Sequence, residues 1–559
     1  MAVHGIDLGT TNSAIARTGP DGRPQVLAGL SGEPTTPSVV LFVSPGEHVV
    51  GEGARREARL DPEHVCALVK RRMGDAQWRF VAHGKAWSAP AVSALILRSL
   101  VADTGFTTGE EPTAAVITVP AYFGDEERRA TVLAGTYAGL DVVDVLSEPI
   151  AAALAYGFGR FDGRLELSKA DHETVLVYDL GGGTFDVTVI ELADRRISVL
   201  AVEGDHQLGG ADWDERVALH LSRRFCADNP AAEDPLDDSA GAQALVLAAE
   251  RAKHQLSDAE HTDVVIAHDG ARSTVPITRA ELAELTASLL HRTIDLTRGC
   301  LAEAARRGVS RVDRVLLVGG SSRMPAVADA LRRELDLDPR LHDPELAVAR
   351  GAALYGEKKE LERMVEADLR TRGRLRDGAP LEDAASGDLD GSCRRVADAL
   401  RVPLAQVRRA VEIQVDTVVS RGFGVLAVNA AVGRLEPSWL VHRNDRLPIR
   451  TSRSYGTMRT DQSEIQITVV EQQGQAESTR PEDAKVLIAG EITGIPPGYP
   501  DGSEVRLTFE MGFDGVLHVT AFHVDAGIPL TLAATTGATL SQAEVARERE
   551  QLGRTRRRE

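Results

Sequence analysis

Two short runs in this chain carry the residue types that grip a polyphosphate. Asp7-Leu8-Gly9-Thr10-Thr11 lies close to residue 1, and Asp179-Leu180-Gly181-Gly182-Gly183-Thr184-Phe185-Asp186 echoes it far downstream. Each follows a short apolar run (residues 3–6 and 175–178) and precedes a β-branched one, so each reads as a tight turn between two strands. Glycine lets backbone N–H groups approach an anion closely, a threonine hydroxyl adds a donor, and aspartate can hold a hydrated metal. Two such turns predict two similar lobes holding one polyphosphate from opposite sides. No G-x-x-x-x-G-K-[ST] occurs, so the site is not of the Walker type.

The elements that must position these turns alternate in type. Residues 115–119, 175–179, 187–192 and 314–318 read as strands, and 125–138, 240–256, 279–307 and 324–335 as helices, as in an α/β domain over 1–356. Residues 357–372 form a charged amphipathic helix, followed by an acidic stretch (377–391) and a helical pair (392–400 and 404–412) broken around Pro403. The span 357–416 is therefore read as a helical insertion with a linker. Its arginine-bearing pair resembles a helix-turn-helix, with a plain helical hairpin as the alternative in these acidic surroundings. From 417 the pattern becomes that of an all-β sandwich reaching 540, with strands expected at 464–470, 485–491, 504–510, 516–523 and 529–533. Ser541 is read as the cap of a last short helix over 541–559.

At 559 residues the chain requires two or three domains, and 43% hydrophobic with 26% charged residues describes an ordinary globular composition. A net charge of −19 argues against a general nucleic-acid surface. Cys66, Cys226, Cys300 and Cys393 are far apart without a C-x-x-C pair, which argues against zinc or a disulfide framework. No apolar stretch reads as a membrane span and no leader-like segment opens the chain, so a cytoplasmic location is expected. The basic residues are seven lysines against 57 arginines, so a lysine inside a motif is informative.

Further motifs follow in fixed order. Ala67-Leu68-Val69-Lys70-Arg71-Arg72-Met73-Gly74 comes first, then Val119-Pro120-Ala121-Tyr122-Phe123 and Ser147-Glu148-Pro149-Ile150-Ala151. Gly204-Asp205-His206-Gln207-Leu208-Gly209-Gly210-Ala211-Asp212 and Glu250-Arg251-Ala252-Lys253-His254-Gln255-Leu256-Ser257 precede Val318-Gly319-Gly320-Ser321-Ser322-Arg323. Together they resemble the seventy-kilodalton heat-shock chaperone family, the DnaK type, over 1–356, with the sandwich at about 417–540 following its peptide-binding domain.

The resemblance implies an actin-like (ribonuclease-H-like, duplicated) ATPase domain and a β-sandwich substrate-binding domain. It implies ATP and ADP as ligands, with Asp7, Asp179 and Asp186 around hydrated Mg²⁺ and nearby K⁺, and Glu148 ordering the metal's water shell. Lys70 is expected to reach the γ-phosphate and place the attacking water, a role for a compact ammonium; taken alone it would read as a surface lysine. Gly9, Thr10, Thr11, Thr184 and Gly181, Gly182, Gly183 are assigned to the phosphates. Glu250, Lys253, Ser257, Ser321 and Arg323 are assigned to ribose and adenine, while Gly209, Gly210, Gly319 and Gly320 let backbone approach the nucleotide. Pro120 and Arg128 match the family's allosteric proline switch and coupling arginine.

In the second domain, Met458 matches an arch over bound peptide, Ile465 the central pocket, and Tyr455 and Ile467 its flanks. Ordinary sandwich core is the competing reading of the two isoleucines. Val425 and Val428 are weaker additions to the pocket. Unfolded or extended polypeptide is the implied partner, with a J-domain co-chaperone and a nucleotide exchange factor beside it.

Three departures from the family stand out. The linker counterpart, Val411-Glu412-Ile413-Gln414-Val415-Asp416, interleaves polar residues where the family has an aliphatic run. The helical lid is missing, so weak and rapidly exchanging peptide binding is expected. The region 225–248 and the segment after Ser257 are short, where the family's exchange factor grips. The leading expectation is an ATP-hydrolysing chaperone. The alternatives are a nucleotide-sensing scaffold whose sandwich docks one dedicated partner, and a small-molecule kinase on the same lobes.

Overall fold

The computed structural model describes residues 2–160, 172–193, 195–429, 433–474, 477–512, 515, 517–536 and 542–558. Two mixed sheets repeat one topology. The first runs in the order Asp141–Ser147, Ala114–Val119, His4–Asp7, Asn12–Thr18, Pro24–Leu27, with the first three strands parallel and the last two joined antiparallel. The second runs Pro339–Leu341, Arg314–Val318, Glu173–Leu180, Phe185–Ala193, Arg196–Asp205, with the same directions. Glu173–Leu180 is buried along its whole length, as expected of a central strand covered on both faces. Each phosphate-type turn therefore joins the middle strand of one sheet to its antiparallel neighbour, and Asp179 faces Asp186 across the second hairpin.

Helix Ala89–Thr108 fills the first lobe. Ser88 caps it by accepting from Ala91 N at 3.2 Å, Pro90 sits in its first turn, and Gly109 closes it at φ 78°. Its length and mean hydropathy of 1.2 would suit a membrane span, which corrects the expectation that no such stretch exists. With most of its residues buried in the lobe, it is a core helix. The expected helix over 279–307 is two helices, Arg279–Leu285 and Ala287–Arg306. Between them the Thr286 hydroxyl donates to Leu282 O at 2.7 Å and competes with helix continuation.

Helix Ala347–Thr371 runs without a break through 356, so the sequence-placed boundary there falls inside one helix. Helices Ser386–Leu400 and Leu404–Glu412 pack on its far end through Leu361, Val365, Val396 and Val407. Arg394, Arg395 and Arg408 pair with Asp390, Asp368 and Asp390, which neutralises the basic face a DNA-reading helix would need. The chain then enters strand Gln414–Asp416, which adds parallel to Arg196–Asp205 as the sixth strand of the second sheet.

Among the described residues the β domain has eight strands in the order Arg434–Val441, Phe423–Asn429, Glu464–Gln472, Ala484–Thr493, Ile528–Thr536, Leu517–His523, Glu504–Met511, Ile449–Gly456. They enclose one core that includes Phe423, Val469, Val505 and Phe509. Ser541 lies outside the described residues. Helix Gln542–Gly553 leaves the sandwich and lies on the first lobe, where Leu552 enters the core and Glu548 accepts from Ser88 Oγ at 2.8 Å. Arg556–Arg557 then pairs parallel with Glu47–Val50.

Candidate functional site

The two hairpins face each other across a cleft of about 450 Å³. A Cβ placed on Gly182 would meet the Thr11 side chain at 2.2 Å, and one on Gly183 would meet Thr10 at 2.2 Å. Only glycine permits this approach of one lobe to the other. Gly209 lies against the Gly183 backbone, Gly210 against Ser321 Oγ, and Gly319, at φ 77°, beside Asp179. Asp7, Gly9, Thr10, Thr11, Lys70, Glu148, Asp179, Gly181, Gly182, Thr184, Gly210, Gly319 and Gly320 all line the cleft. Asp186 is fully buried behind it, accepting from Ala121 N at 3.1 Å.

Lys70 stands on the short turn Val69–Arg72 and is 4% exposed, unlike a surface lysine. Its Nζ donates to Glu148 Oε1 at 2.5 Å, so in this structure Glu148 faces the lysine. Burial, then the nearby Glu148 charge, pushes Asp7 up to about 7 against the pull of Lys70. Burial and Glu148 hold Asp179 and Asp186 well above the usual carboxylate range. Burial alone would depress Lys70, yet Glu148 and Asp7 raise it. Four carboxylates around one ammonium leave a net deficit of positive charge in a buried place. Among the described residues no three ligand-type side chains converge on one point. This donor set fits a hydrated divalent cation reached through its water shell, rather than a directly caged one.

The far end of the cleft holds Glu250, Lys253, Ser257, Ser321 and Arg323. Lys253 Nζ donates to Gly210 O at 2.9 Å and to Asp214 Oδ2 at 2.8 Å, and Arg323 pairs with Glu345 at 3.1 Å. Glu250 is bound by Arg55 of the opposite lobe. The sequence motifs assign no role to Arg55, Arg71, Asp212, Asp214 or Glu345. Arg71 and Asp212 stand inside quoted motifs, but 141 residues separate them and no local pattern pairs them.

Helix Asp125–Tyr137 begins just after Pro120, which ends strand Ala114–Val119, and it carries Arg128. The Arg128 side chain lies beside Gly515 of the sandwich and donates to Phe123 O at 3.2 Å. Next to it, Arg421 reaches Glu471 at 3.0 Å and Glu127 at 3.3 Å, and Lys485 pairs with Glu126. On the second lobe Arg443 pairs with Glu203 at 3.0 Å, and Asn444 accepts from Val202 N at 3.2 Å. The sandwich is thus docked on both lobes. Within it, Met458 is 71% exposed, Ile465 and Tyr455 are half-buried, and Ile467 is in the core. Tyr455 Oη lies 2.9 Å from Ser438 Oγ. Val425 is core as well, whereas Val428 is exposed.

Paired lobes of one topology, a glycine-lined cleft between them and a docked sandwich define a two-lobed nucleotide-binding fold with an added β domain. The family model for Hsp70 protein matches residues 3–366 and 425–559, and the chain belongs to the Hsp70 family. The architecture is accordingly that family's actin-like ATPase domain followed by its β-sandwich. Members of the family are ATP-dependent chaperones that bind ATP or ADP with Mg²⁺ and act on unfolded polypeptide. The match leaves out 367–424, which holds the two insertion helices and the linker strand.

Proposed function

We propose that this chain hydrolyses ATP to ADP and phosphate in the interlobe cleft and thereby controls binding of extended hydrophobic segments of unfolded clients. The opposed hairpins with Lys70 between them carry the reading. Mg²⁺, with K⁺ beside it, would supply the charge neutralisation that phosphoryl transfer needs. Asp7, Asp179, Asp186 and Glu148 are the residues that would hold it through water. Backbone N–H groups of 9–11 and 181–184, with the Thr10, Thr11 and Thr184 hydroxyls, would bind the β- and γ-phosphates. Lys70 would leave Glu148 for the γ-phosphate and orient the attacking water. Glu250, Lys253, Ser257, Ser321 and Arg323 would hold the nucleoside.

In the sandwich, an extended peptide would bind by backbone hydrogen bonds, with one aliphatic side chain packed at Ile465 beneath Met458. Pro120 and Arg128 are the route by which the cleft reaches that domain. The test is ATPase rate with and without an extended aliphatic peptide, in wild type and in Ile465→Asp. Peptide stimulation lost in the variant supports the reading.

One observation favours the scaffold alternative. Glu412, Gln414 and Asp416 of the docked linker are each held by Arg195 or Arg196, which stabilises docking by contacts of this chain's own. A wild-type ATPase indifferent to every peptide supports that alternative, and phosphate release without any acceptor excludes the kinase reading.

A further inference from the structure

Lys70 stands on the first lobe, and its hydrogen bond to Glu148 stays within that lobe. The next residue does not stay there. Arg71 Nε donates to Gly183 O at 2.7 Å, and its terminal nitrogens meet Asp212 Oδ2 at 2.5 Å and Oδ1 at 3.3 Å. Asp212 Oδ2 also accepts from Gly209 N at 2.7 Å, at the head of helix Gly210–Asp228. One guanidinium fork therefore joins the Lys70 turn to both second-lobe segments, 181–183 and 209–212, that face the phosphate end of the cleft. The two side chains are only 17% and 20% exposed, so water screens this pair less than a surface one.

The turn between the two residues is short and internally tied. Arg71 N donates to Leu68 O at 3.1 Å and Met73 N to Lys70 O at 3.2 Å. A turn of this size cannot move Arg71 while leaving Lys70 in place. We infer that Arg71 is a positioning residue: its fork on Asp212 and Gly183 sets Lys70 at the γ-phosphate when the lobes close, and releases it when they open. This rests on the ATPase reading above. Lysine substitutes only in part, because a single ammonium does not span a carboxylate and a carbonyl in one plane.

The experiment is single-turnover ATP hydrolysis and ADP release, with Mg²⁺, by the full chain and by Arg71→Gln, Arg71→Lys, Asp212→Asn and the Arg71→Gln/Asp212→Asn double variant. Arg71→Gln is expected to slow the hydrolytic rate constant at saturating ATP at least tenfold and to speed ADP release, with Arg71→Lys intermediate. Misfolding would lower the amplitude and leave the rate constant of the surviving fraction unchanged. Asp212→Asn keeps an acceptor for Gly209 N and should follow Arg71→Gln, with the double variant no slower than the slower single one. An unchanged rate constant in Arg71→Gln beside normal wild-type turnover, or additive losses in the double variant, overturns the inference alone. A wild-type chain that binds ATP and never hydrolyses it overturns the ATPase reading and this inference with it.

Discussion

Lys70 and Glu148 form a buried ion pair at 2.5 Å, with side chains 4% and 8% exposed, at the point where the two lobes meet. The lysine is the ammonium among four carboxylates, and its removal leaves their charge uncompensated. Breaking one partner of a buried pair typically costs about 3–5 kcal/mol. Lys70→Ala should therefore melt well below wild type in nucleotide-free buffer, as read by calorimetry. An unchanged melting temperature would mean that the pair is solvated in solution.

Glu471 sits fully buried at the seam between the ATPase domain and the sandwich, facing Arg421 and Lys485 from its own domain and Glu126 and Glu127 from helix Asp125–Tyr137. Burial and Glu127 push it up to about 7 despite Arg421. A carboxyl whose value is raised by docking takes up a proton on docking, so docking is strongest in acid and weakens as pH rises through about 7. Hydrogen exchange at 413–416 should quicken between pH 6 and pH 8 in wild type beyond the intrinsic rate change. Glu471→Gln should remove that excess; an excess that persists in the variant would assign the effect to another group.

His48 behaves in the opposite sense. Burial, then Arg98 and Arg557, press it down to about 4, so it is neutral in the folded lobe. Its contribution to stability is complete above pH 6.5 and is lost as pH falls from 6.5 toward 4. Because Arg557 belongs to the C-terminal segment, acid should loosen residues 542–558 from the first lobe. Exchange of that segment measured at pH 7 and pH 5 checks this, and equal protection at both would count against it. Leu552→Ala, which empties a core position, should cost about 2–5 kcal/mol of stability.

The linker allows a comparison of magnitudes. Arg195–Glu412 and Arg196–Asp416 are half-exposed pairs, worth about 0–1 kcal/mol each. Ile413 is 8% exposed and packs in the core between the lobes. Arg196→Ala should leave the linker docked, whereas Ile413→Asp should free it and uncouple ATPase rate from peptide. Limited proteolysis near residue 413 distinguishes the two, and early cleavage in Arg196→Ala would reverse this ranking.

The hairpins were legible because a glycine-rich turn between β-branched runs is a local pattern, and the structure brings both to one interlobe cleft. Lys70 and Lys253 stood out in an arginine-rich chain, and both are buried in the cleft. In the linker, Ile413 and Val415 alternate with Gln414 and Asp416 at period two, as an edge strand should, while Val411 and Glu412 end the preceding helix. Three sandwich strands, Phe423–Asn429, Arg434–Val441 and Ile449–Gly456, were not separated from the loops. Ile449–Gly456 shows why, since Arg450, Ser452, Arg453 and Ser454 face water and dilute its alternation. The fold of 542–558 onto the first lobe, and the Arg71–Asp212 fork, join segments hundreds of residues or a whole lobe apart. Composition and periodicity are blind to such contacts.

The account depends most on Lys70 acting on the phosphate rather than merely balancing charge. Single-turnover hydrolysis of ATP with Mg²⁺, measured beside ATP affinity in wild type and Lys70→Ala, addresses this directly. The variant should still bind ATP but lose hydrolysis by 10²-fold or more. Equal hydrolytic rate constants in the two proteins would contradict the central claim.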